Sequence, residues 1–318
     1  MAIYLAVDGG TTNTRVTLVR EGCVCDTQKL SVGARNGADA LKKALRQGIF
    51  EILSRNALAE GDVLRILASG MITSEYGLCN LPHISTPAGK AELKESIFET
   101  VIDEVSTVPF CFIRGVRAMG DTLDGADMMR GEETELMGLM DGSTADALYI
   151  LPGSHSKHIA VDEMGRIKDF RTMMTGEFFA AVMENTILRD AADFDHNTIV
   201  EQRLLEGCDY CETHGINEAL FKTRVLRNVF GAAKEECYSF LMGAVLCDEI
   251  CAVLRAPQQT VVLGGQKQLR EAMGLLLRAK GNKHVRVLED AAVASSTALG
   301  AVRIYEQSEA RPCEKRSV

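Results

Sequence analysis

Basic residues are scarce relative to acidic ones in this 318-residue chain. It has 35 Lys and Arg against 44 Asp and Glu, which gives a formal net charge of -9. Nucleic-acid backbones are bound by clustered Lys and Arg, so the acidic balance excludes such binding as the main task. No apolar run approaches the ~18 residues of a membrane-spanning helix. We therefore expect neither a nucleic-acid partner nor a membrane segment, while a small anionic ligand stays compatible with the charge.

Signals for export and for structural metal are also lacking. Residues 1–8 have neither the basic region nor the cleavage site of a signal peptide, and they look like a buried strand. Cys208 and Cys211 form one C-x-x-C pair, without a second pair at zinc-site spacing. Cys247 and Cys251 lie in an apolar helical run, where buried thiols behave as small hydrophobic groups. We expect a reducing, cytoplasmic location.

Strand and helix signals alternate along the chain. Continuous or alternating apolar runs predict strands over 2–7, 15–20, 23–30, 63–68, 109–113, 147–151, 159–161, 167–171, 260–263 and 285–288. Helical spacing predicts helices over 39–57, 90–105, 177–189, 198–212, 217–230, 233–254, 266–279 and 291–305, with another that begins near residue 132. Such alternation is typical of α/β folds with mainly buried sheets.

Glycine turns follow three of these strands, at Gly9-Gly10, Gly153 and Gly264-Gly265. The first two turns open similar strand–turn–strand units, one in each half of the chain. This repetition indicates two related halves that face each other across a cleft. No Pro/Ser-rich linker marks the boundary, which we place near residue 115.

The strongest chemical signal is the segment Asp8–Arg15 (DGGTTNTR). Its glycines allow close backbone approach to a ligand, and successive N–H groups in such a turn form a concavity that binds anions. Asp8 repels phosphate directly but suits Mg²⁺, which binds through one or two carboxylates plus phosphates. A plain hairpin turn is the alternative, although turn chemistry alone does not require a carboxylate, several donors and an Arg together.

Two further segments have the composition of a phosphate site. In 151–158 (LPGSHSKH), Gly153 and Ser154 can offer backbone N–H groups and Lys157 a point charge. The segment 261–266 (VVLGGQ) would let a flat ring lie against the backbone, but Gly-Gly before a helix is also a common turn.

Acidic residues begin the helix predicted near residue 132, in 131–135 (GEETE). A carboxylate in a first helical turn is stabilised in its ionised form, and could accept a proton from a substrate hydroxyl. Ordinary helix capping is the alternative. From the residues alone, capping is the favoured interpretation.

The order of these segments resembles that of the sugar kinases of the actin, heat-shock ATPase and hexokinase superfamily. More closely, the chain resembles the 2-dehydro-3-deoxygalactonokinase family. The narrower resemblance rests on the segments 8–15 (DGGTTNTR), 69–74 (SGMITS), 115–117 (GVR), 129–134 (MRGEET), 151–157 (LPGSHSK) and 170–177 (FRTMMTGE). It covers nearly the whole chain.

The resemblance implies an α/β fold of two ribonuclease H-like, actin-like ATPase domains with a cleft between them. The N-terminal domain would comprise residues 1–115, and the C-terminal, nucleotide-binding domain residues 116–290. The last helix, in about 291–318, would pack back on the first domain.

The implied activity is ATP- and Mg²⁺-dependent phosphorylation of 2-dehydro-3-deoxy-D-galactonate to its 6-phosphate, in cytoplasmic galactonate catabolism. The partner would be this small sugar acid, with no nucleic acid and no membrane, and a homodimer stays open. One alternative is a kinase of another small sugar, sugar acid or acyl substrate on the same fold. Another is a non-catalytic, nucleotide-dependent sugar sensor.

The resemblance also assigns roles to residues. It places Mg²⁺ on Asp8 and the catalytic base on Glu132 or Glu133, with Glu132 slightly ahead and Asp127 a weaker candidate. The residues implied to bind ATP are Gly9, Gly10, Thr11, Thr12, Asn13, Arg15, Gly153, Ser154, Ser156, Lys157, Gly264 and Gly265. The residues implied to bind the sugar acid are Thr73, Ser74, Arg117, Arg171, Thr175 and Glu177.

Overall fold

The computed structural model describes residues 2–141, 146–192, 198–255 and 260–308. The described residues fall into two compact units. The first is bounded by Met1–Ala145, Val161–Phe170 and Asp290–Val318, and the second by Asp146–Ala160 and Arg171–Glu289.

The first unit is built around one large sheet. In chain order, its elements up to residue 139 are β1 (Ile3–Gly9), β2 (Thr14–Arg20), β3 (Cys23–Leu30), α1 (Ala38–Arg55), β4 (Arg65–Gly70), β5 (Ile84–Ser85), α2 (Lys90–Glu95), β6 (Phe98–Ile102), β7 (Ser106–Phe112), β8 (Val116–Ala118), β9 (Asp127–Met129) and α3 (Glu132–Leu139). The large sheet has the order β3-β2-β1-β4-β7-β6, and a small sheet has the order β5-β8-β9.

The register of the large sheet aligns the ends of its central strands. β1 and β2 are antiparallel with Asp8 opposite Arg15, and β1 and β4 are parallel with Asp8 beside Ser69. β1 is a run of buried apolar residues because both of its faces are covered, as in parallel sheets. The carboxyl ends of β1 and β4 therefore lie side by side.

One predicted helix is wrong in its second half. We expected a helix over 90–105, but α2 ends at Glu95 and β6 follows it. The β-branched residues Thr100, Val101 and Ile102 favour an extended chain, and β6 pairs antiparallel with β7. Edge pairing thus outweighs the helical spacing of the apolar residues.

The first unit continues past residue 115 because β8, β9 and α3 belong to it. β8 pairs with β5, and α3 packs along the helix α9 (Asp290–Glu306). Arg303 on α9 donates from Nη1 to the carbonyls of Met137, Gly138 and Met140, at 3.2, 2.6 and 3.1 Å. These carbonyls have no partner within α3 because they end it, so Arg303 fixes the helix at its C-terminus.

The second unit repeats the strand order of the first. The elements of its sheet and its helices are β10 (Ala147–Leu151), β11 (Ser156–Val161), β12 (Ile167–Met173), α4 (Thr175–Asn185), α5 (Glu201–His214), α6 (Ile216–Asn228), α7 (Lys234–Leu254), β13 (Thr260–Leu263), α8 (Lys267–Ala279) and β14 (Val285–Val287). Of these, Val161 in β11 and residues 167–170 in β12 fall within the bounds of the first unit. The order β12-β11-β10-β13-β14 matches β3-β2-β1-β4-β7. The central pair is parallel in both sheets, β1 with β4 and β10 with β13. The predicted α/β fold with two related sheets is confirmed.

Helix α7 is a long, apolar helix of the second unit. Among the described residues, it is the one helix long and apolar enough to cross a membrane by length and composition, and 72% of that stretch is buried. Its Phe240, Leu241 and Leu246 belong to the core that α5 and α8 complete. Packing within the protein therefore accounts for its composition.

Candidate active site

The loop after β1 is held from behind and presents its polar side chains outward. Gly10 N–H donates to the carbonyl of Asn13 at 2.9 Å, which closes the turn. The carbonyls of Gly10 and Thr11 accept from the N–H groups of Ala34 and Arg35 at 3.0 and 2.9 Å. The side chains of Thr11, Thr12 and Asn13 are exposed. The loop thus keeps a fixed shape while its donors face away from the sheet.

Asp8 lies at the carboxyl end of β1 beneath this loop. Its side chain is 30% exposed, and Arg15 Nη1 lies 3.2 Å from its Oδ2. Loss of solvation raises the pKa of Asp8, and the charge of Arg15 opposes that shift. Arg15 is 59% exposed, so this ion pair adds little stability.

The donor set around Asp8 fits a phosphate-bound Mg²⁺. Among the described residues, no three His, Cys, Asp or Glu side chains are grouped so as to hold a metal ion. Mg²⁺ in phosphoryl-transfer sites needs only one or two carboxylates, since phosphates and water supply the other ligands. A single partly exposed carboxylate beside a backbone-donor loop meets that requirement.

The start of α3 lies close to Asp8, because Gly70 and Gly131 allow the backbone segments to approach each other. Both have positive φ, +83° at Gly70 and +114° at Gly131. A Cβ at Gly131 would lie 3.2 Å from the Cα of Gly70, and a Cβ at Gly70 would lie 3.5 Å from Asp8 Oδ1. The positive φ favours glycine at both positions, and a Cβ at Gly70 would also lie 2.6 Å from the Gly9 carbonyl oxygen. The end of β1, the end of β4 and the start of α3 therefore meet within the first unit.

Glu133 is fully buried in the first turn of α3. Both of its carboxylate oxygens accept from Gly131 N–H, at 2.9 and 2.8 Å, and Thr134 Oγ1 lies 3.0 Å from Oε1. Burial raises its pKa from 4.5 to about 8, and the charge of Glu132 adds to the shift. Glu133 therefore holds its proton at neutral pH.

Glu132 is half-buried, and its Oε2 accepts from the N–H of Arg130 at 3.0 Å. Asp127, the weaker candidate for the base, lies in β9, where it pairs with Ala118 and accepts from Met128 N–H at 2.6 Å. The two glutamates thus differ in access: substrate could reach Glu132, whereas no surface of Glu133 is exposed.

The buried Glu133 predicts a pH-dependent stability. Its pKa is raised on folding, so between about pH 4.5 and 8 the folded chain binds a proton that the unfolded chain releases. Stability from this group is therefore full below that range, and falls by up to about 1.4 kcal/mol per pH unit through it. In Glu133→Gln we expect a free energy of unfolding that rises relative to wild type from pH 5 to pH 8, measured by urea denaturation.

Met137→Leu, a buried substitution in the same helix that involves no titrating group, is the matched control for this experiment. Its difference from wild type should stay nearly constant over the same pH range. A Glu133→Gln difference that does not change with pH would contradict the raised pKa.

The predicted substrate residues of the first unit differ in availability. Thr73 is buried, with Oγ1 donating to the Gly70 carbonyl at 3.0 Å and accepting from Arg130 Nη1 at 2.7 Å. Ser74 Oγ donates to the Met71 carbonyl at 2.7 Å. Arg117 is exposed on β8, with Nε 3.4 Å from Ser85 Oγ. The two hydroxyls hold the loop after β4, while the guanidinium faces solvent.

In the second unit, the turn after β10 is fixed by the N-terminus of α4. The N–H groups of Gly176 and Glu177 donate to the carbonyls of Gly153 and Ser154, at 3.1 and 3.0 Å. A Cβ at Gly153 would meet nothing within 4 Å, so the turn is open on its other side. A ligand can approach the backbone there.

Two polar residues of β11 lie just behind this turn. Ser156 is fully buried, and its Oγ makes no hydrogen bond to any residue that the structure describes. Lys157 is 5% exposed, with Nζ donating to Thr172 Oγ1 at 2.6 Å. Both were predicted to bind ATP.

The predicted adenosine segment lies beside the same turn, because β10 and β13 are parallel neighbours. Gly264 N–H donates to the Ile150 carbonyl at 2.9 Å, and Gln266 N–H donates to the Pro152 carbonyl at 2.7 Å. The buried Arg270 donates from Nη1 to the Gly265 carbonyl at 3.0 Å. The segments 152–154 and 264–266 are thus held together in the second unit.

The remaining predicted substrate residues lie near the start of α4. Thr175 is buried and donates to Glu249 Oε1, and His158 Nε2 lies 2.6 Å from Glu249 Oε2. Glu177 is half-exposed, with Oε2 2.6 Å from His155 Nε2. Arg171 is exposed on β12. Thr175 therefore has a structural partner, while Glu177 and Arg171 are accessible.

Sequence reasoning missed two charged residues, the half-buried Arg130 and the buried Glu249. Arg130 also donates from Nη2 to the Leu81 carbonyl at 3.1 Å, so it joins the start of α3 to the loop after β4. Glu249 joins α7 to β11 and α4. The acidic pair Asp248-Glu249 in the apolar run of α7 was the available signal for Glu249, since unpaired buried charges are costly.

Comparison with known proteins places the chain among sugar-acid kinases. Residues 8–299 match the family model of 2-keto-3-deoxy-galactonokinase. The 2-dehydro-3-deoxygalactonokinase of Escherichia coli (strain K12) is 26% identical over 255 residues, which span 79% of this chain and 80% of that protein.

Two solved structures agree with this placement. A crystal structure of a Sinorhizobium meliloti protein, provisionally named a 2-dehydro-3-deoxygalactonokinase, has a TM-score of 0.75 at 25% identity, covering 95% of this chain and 99% of that one. The activator of 2-hydroxyisocaproyl-CoA dehydratase from Clostridium difficile, solved with bound ADPNP, has a TM-score of 0.54 at 13% identity, covering 96% and 95%. The latter shows a shared fold alone. With its family match extending over nearly the whole sequence, the chain belongs to the 2-keto-3-deoxy-galactonokinase family.

Proposed function

We propose that this protein is a cytoplasmic kinase that transfers the γ-phosphoryl group of ATP to O6 of 2-dehydro-3-deoxy-D-galactonate. The observation that carries the proposal is the family match over residues 8–299. It is supported by the meeting of Asp8, Gly70 and Gly131 in the first unit. A carboxylate, a donor loop and an acidic helix start at one place are the groups that phosphoryl transfer needs.

In this proposal ATP is bound by three glycine-containing segments. The loop of Gly10, Thr11 and Thr12 binds phosphate oxygens in the first unit, with Gly9, Asn13 and Arg15 beside it. In the second unit, phosphate binding falls to Gly153, Ser154, Ser156 and Lys157, and the adenosine to Gly264 and Gly265. Donors fixed before the reaction stabilise the charge that develops on the transferred group.

Asp8 would hold Mg²⁺, which supplies positive charge to the phosphates when bound. Arg15 balances the charge of Asp8, since Arg15 Nη1 lies 3.2 Å from Asp8 Oδ2. Glu132 would take the proton of the acceptor hydroxyl, while Glu133 fixes the backbone N–H of Gly131.

The sugar acid requires cations or donors for its carboxylate. Arg117 and Arg171 are exposed and are the candidates for this contact, with Glu177 as a partner for a hydroxyl. Thr73, Ser74 and Thr175 would act by shaping the surrounding backbone, because their hydroxyls already have protein partners.

A substrate panel tests the proposal. With ATP and Mg²⁺, we expect release of ADP with 2-dehydro-3-deoxy-D-galactonate, and formation of its 6-phosphate, identified by ³¹P NMR and mass. The C4 epimer of this acid is the matched control and should react far more slowly. If ADP is released only with another sugar or acyl compound, that compound is the substrate and the proposed sugar acid is wrong. If no compound causes ADP release, the proposed kinase activity is wrong.

A further inference from the structure

Helices α5 and α7 of the second unit cross at backbone contact. A Cβ at Gly207 would lie 1.9 Å from the Phe240 carbonyl oxygen, and a Cβ at Gly243 would lie 1.9 Å from that of Leu204. Only glycine permits such an approach, so the side chains next to the crossing are brought close together.

Helical periodicity places four cysteines next to this crossing. Cys211 is four residues from Gly207, and Cys247 is four residues from Gly243, so each shares a face with the glycine at the contact. Cys208 N would lie 3.0 Å from a Cβ at Gly243. Cys251 continues the cysteine face of α7 by one more turn.

Cys247 is the centre of this thiol cluster, defined as Cys208, Cys211, Cys247 and Cys251. Its Sγ lies 4.0 Å from Cys251 Sγ, and the close packing of α5 on α7 brings Cys208 and Cys211 to the same crossing. Three of the thiols are buried, whereas Cys251 is partly exposed. Cys251 is therefore the thiol of the cluster that solvent contacts.

The cluster favours one thiolate. A hydrogen bond from Cys208 lowers the pKa of Cys247 most, and those from Cys211 and Cys251 add to the shift, while burial and, to a smaller extent, the charge of Asp248 oppose it. The pKa values of Cys208, Cys211 and Cys251 are raised, while Lys280 faces Cys208 and Cys251 with a positive charge. Lys280 is held there by Asp209 and Glu212, each at 2.7 Å.

We propose that this cluster is an oxidation site, at which hydrogen peroxide or an alkyl hydroperoxide links Cys247 of α7 to Cys208 or Cys211 of α5. The Cys247 thiolate attacks the peroxide oxygen, which breaks the O–O bond and gives a sulfenic acid and water or an alcohol. The α5 thiol then attacks the sulfenic sulfur, forming the S–S bond and releasing water. Two thiols are oxidised and one peroxide is reduced.

The cross-helix bond is favoured over one between Cys247 and Cys251. Residues four apart on a helix have Cβ atoms about 5–6 Å apart, whereas a disulfide needs about 3.5–4.5 Å. Bridging Cys247 and Cys251 would therefore distort α7. Cys208 and Cys211 meet Cys247 from another helix, so the crossing itself brings them close.

Differential alkylation of the full chain tests this site. Reduced protein is treated with equimolar hydrogen peroxide, blocked with iodoacetamide, then reduced and labelled with N-ethylmaleimide. Peptide mass spectrometry should show N-ethylmaleimide, the label of oxidised thiols, at Cys247 and at one of Cys208 and Cys211. Dithiothreitol should reverse this oxidation. Cys79, in the first unit, should carry the first label.

Two variants separate the central thiol from its neighbour. We expect Cys251→Ser to form the α5–α7 bond as wild type does, and Cys247→Ser to form no disulfide at Cys208 or Cys211. The proposal is overturned if the wild-type cluster keeps all four thiols, or if Cys247 is linked to Cys251. A Cys208–Cys211 bond would overturn it too. The wild-type peptide map decides these outcomes even if Cys247→Ser does not fold.

Discussion

Asp8→Asn should lower kcat by about 100-fold or more while the KM for the sugar acid changes little. This is the size of loss typical when one group that stabilises transition-state charge is removed. The substitution keeps the shape of the side chain but removes the charge that would hold Mg²⁺. Folding should tolerate it, because burial already disfavours the ionised form of Asp8 and the partner Arg15 is largely exposed. ADP release, measured over a range of substrate concentrations, gives both constants.

Asp26→Asn is the matched control for this experiment. Asp26 lies on β3 of the same sheet, away from the donor loop, and also pairs with an arginine: Arg55 Nε of helix α1 lies 2.7 Å from its Oδ2. This control should keep kcat near that of wild type. Near-normal turnover in Asp8→Asn, with Mg²⁺ present, would remove Asp8 from the mechanism.

The sequence determined most of the fold because the buried strands are continuous apolar runs. Residues 3–7 and 260–263 could be assigned from their composition, and each ends at a glycine that stops the strand. Short edge elements escaped this reasoning. β5 and β8 contain two and three residues, too few for any period to appear, and they exist because they pair with each other.

The candidate site was predictable where its groups are contiguous in sequence. Asp8 and the donors that follow it stand in one segment, so composition alone indicated their chemistry. Gly70 and Gly131 are 61 positions apart, and their approach depends on the pairing of β1 with β4 and on the packing of α3. The roles of Arg130 and Glu249 likewise depend on partners distant in sequence. Tertiary contacts of this kind leave no local pattern.

The two adjacent glutamates illustrate what structure adds to a motif. Sequence left Glu132 and Glu133 nearly equivalent, as two acids in one helical turn. In the structure their environments differ. Glu133 is fully buried, and both of its carboxylate oxygens accept from Gly131 N–H. Burial and the charge of Glu132 raise its pKa to about 8. Glu133 holds its proton at neutral pH and is out of reach of substrate, so it is a poor proton acceptor. Glu132 is only half-buried, which favours it as the base.

Glu132→Gln is accordingly expected to lower kcat by about 100-fold or more, within the range that a positioned general base contributes. The amide cannot accept the proton of the O6 hydroxyl, but it can still accept the N–H of Arg130, so the start of α3 should keep its shape. KM for ATP should change little, since this residue is not assigned to the nucleotide. Glu133→Gln is the matched comparison: it should retain most of kcat, because its carboxyl acts on Gly131 N–H and not on substrate. Full activity in both variants would exclude a base at this helix start, and a loss confined to Glu133→Gln would transfer the role to the buried acid.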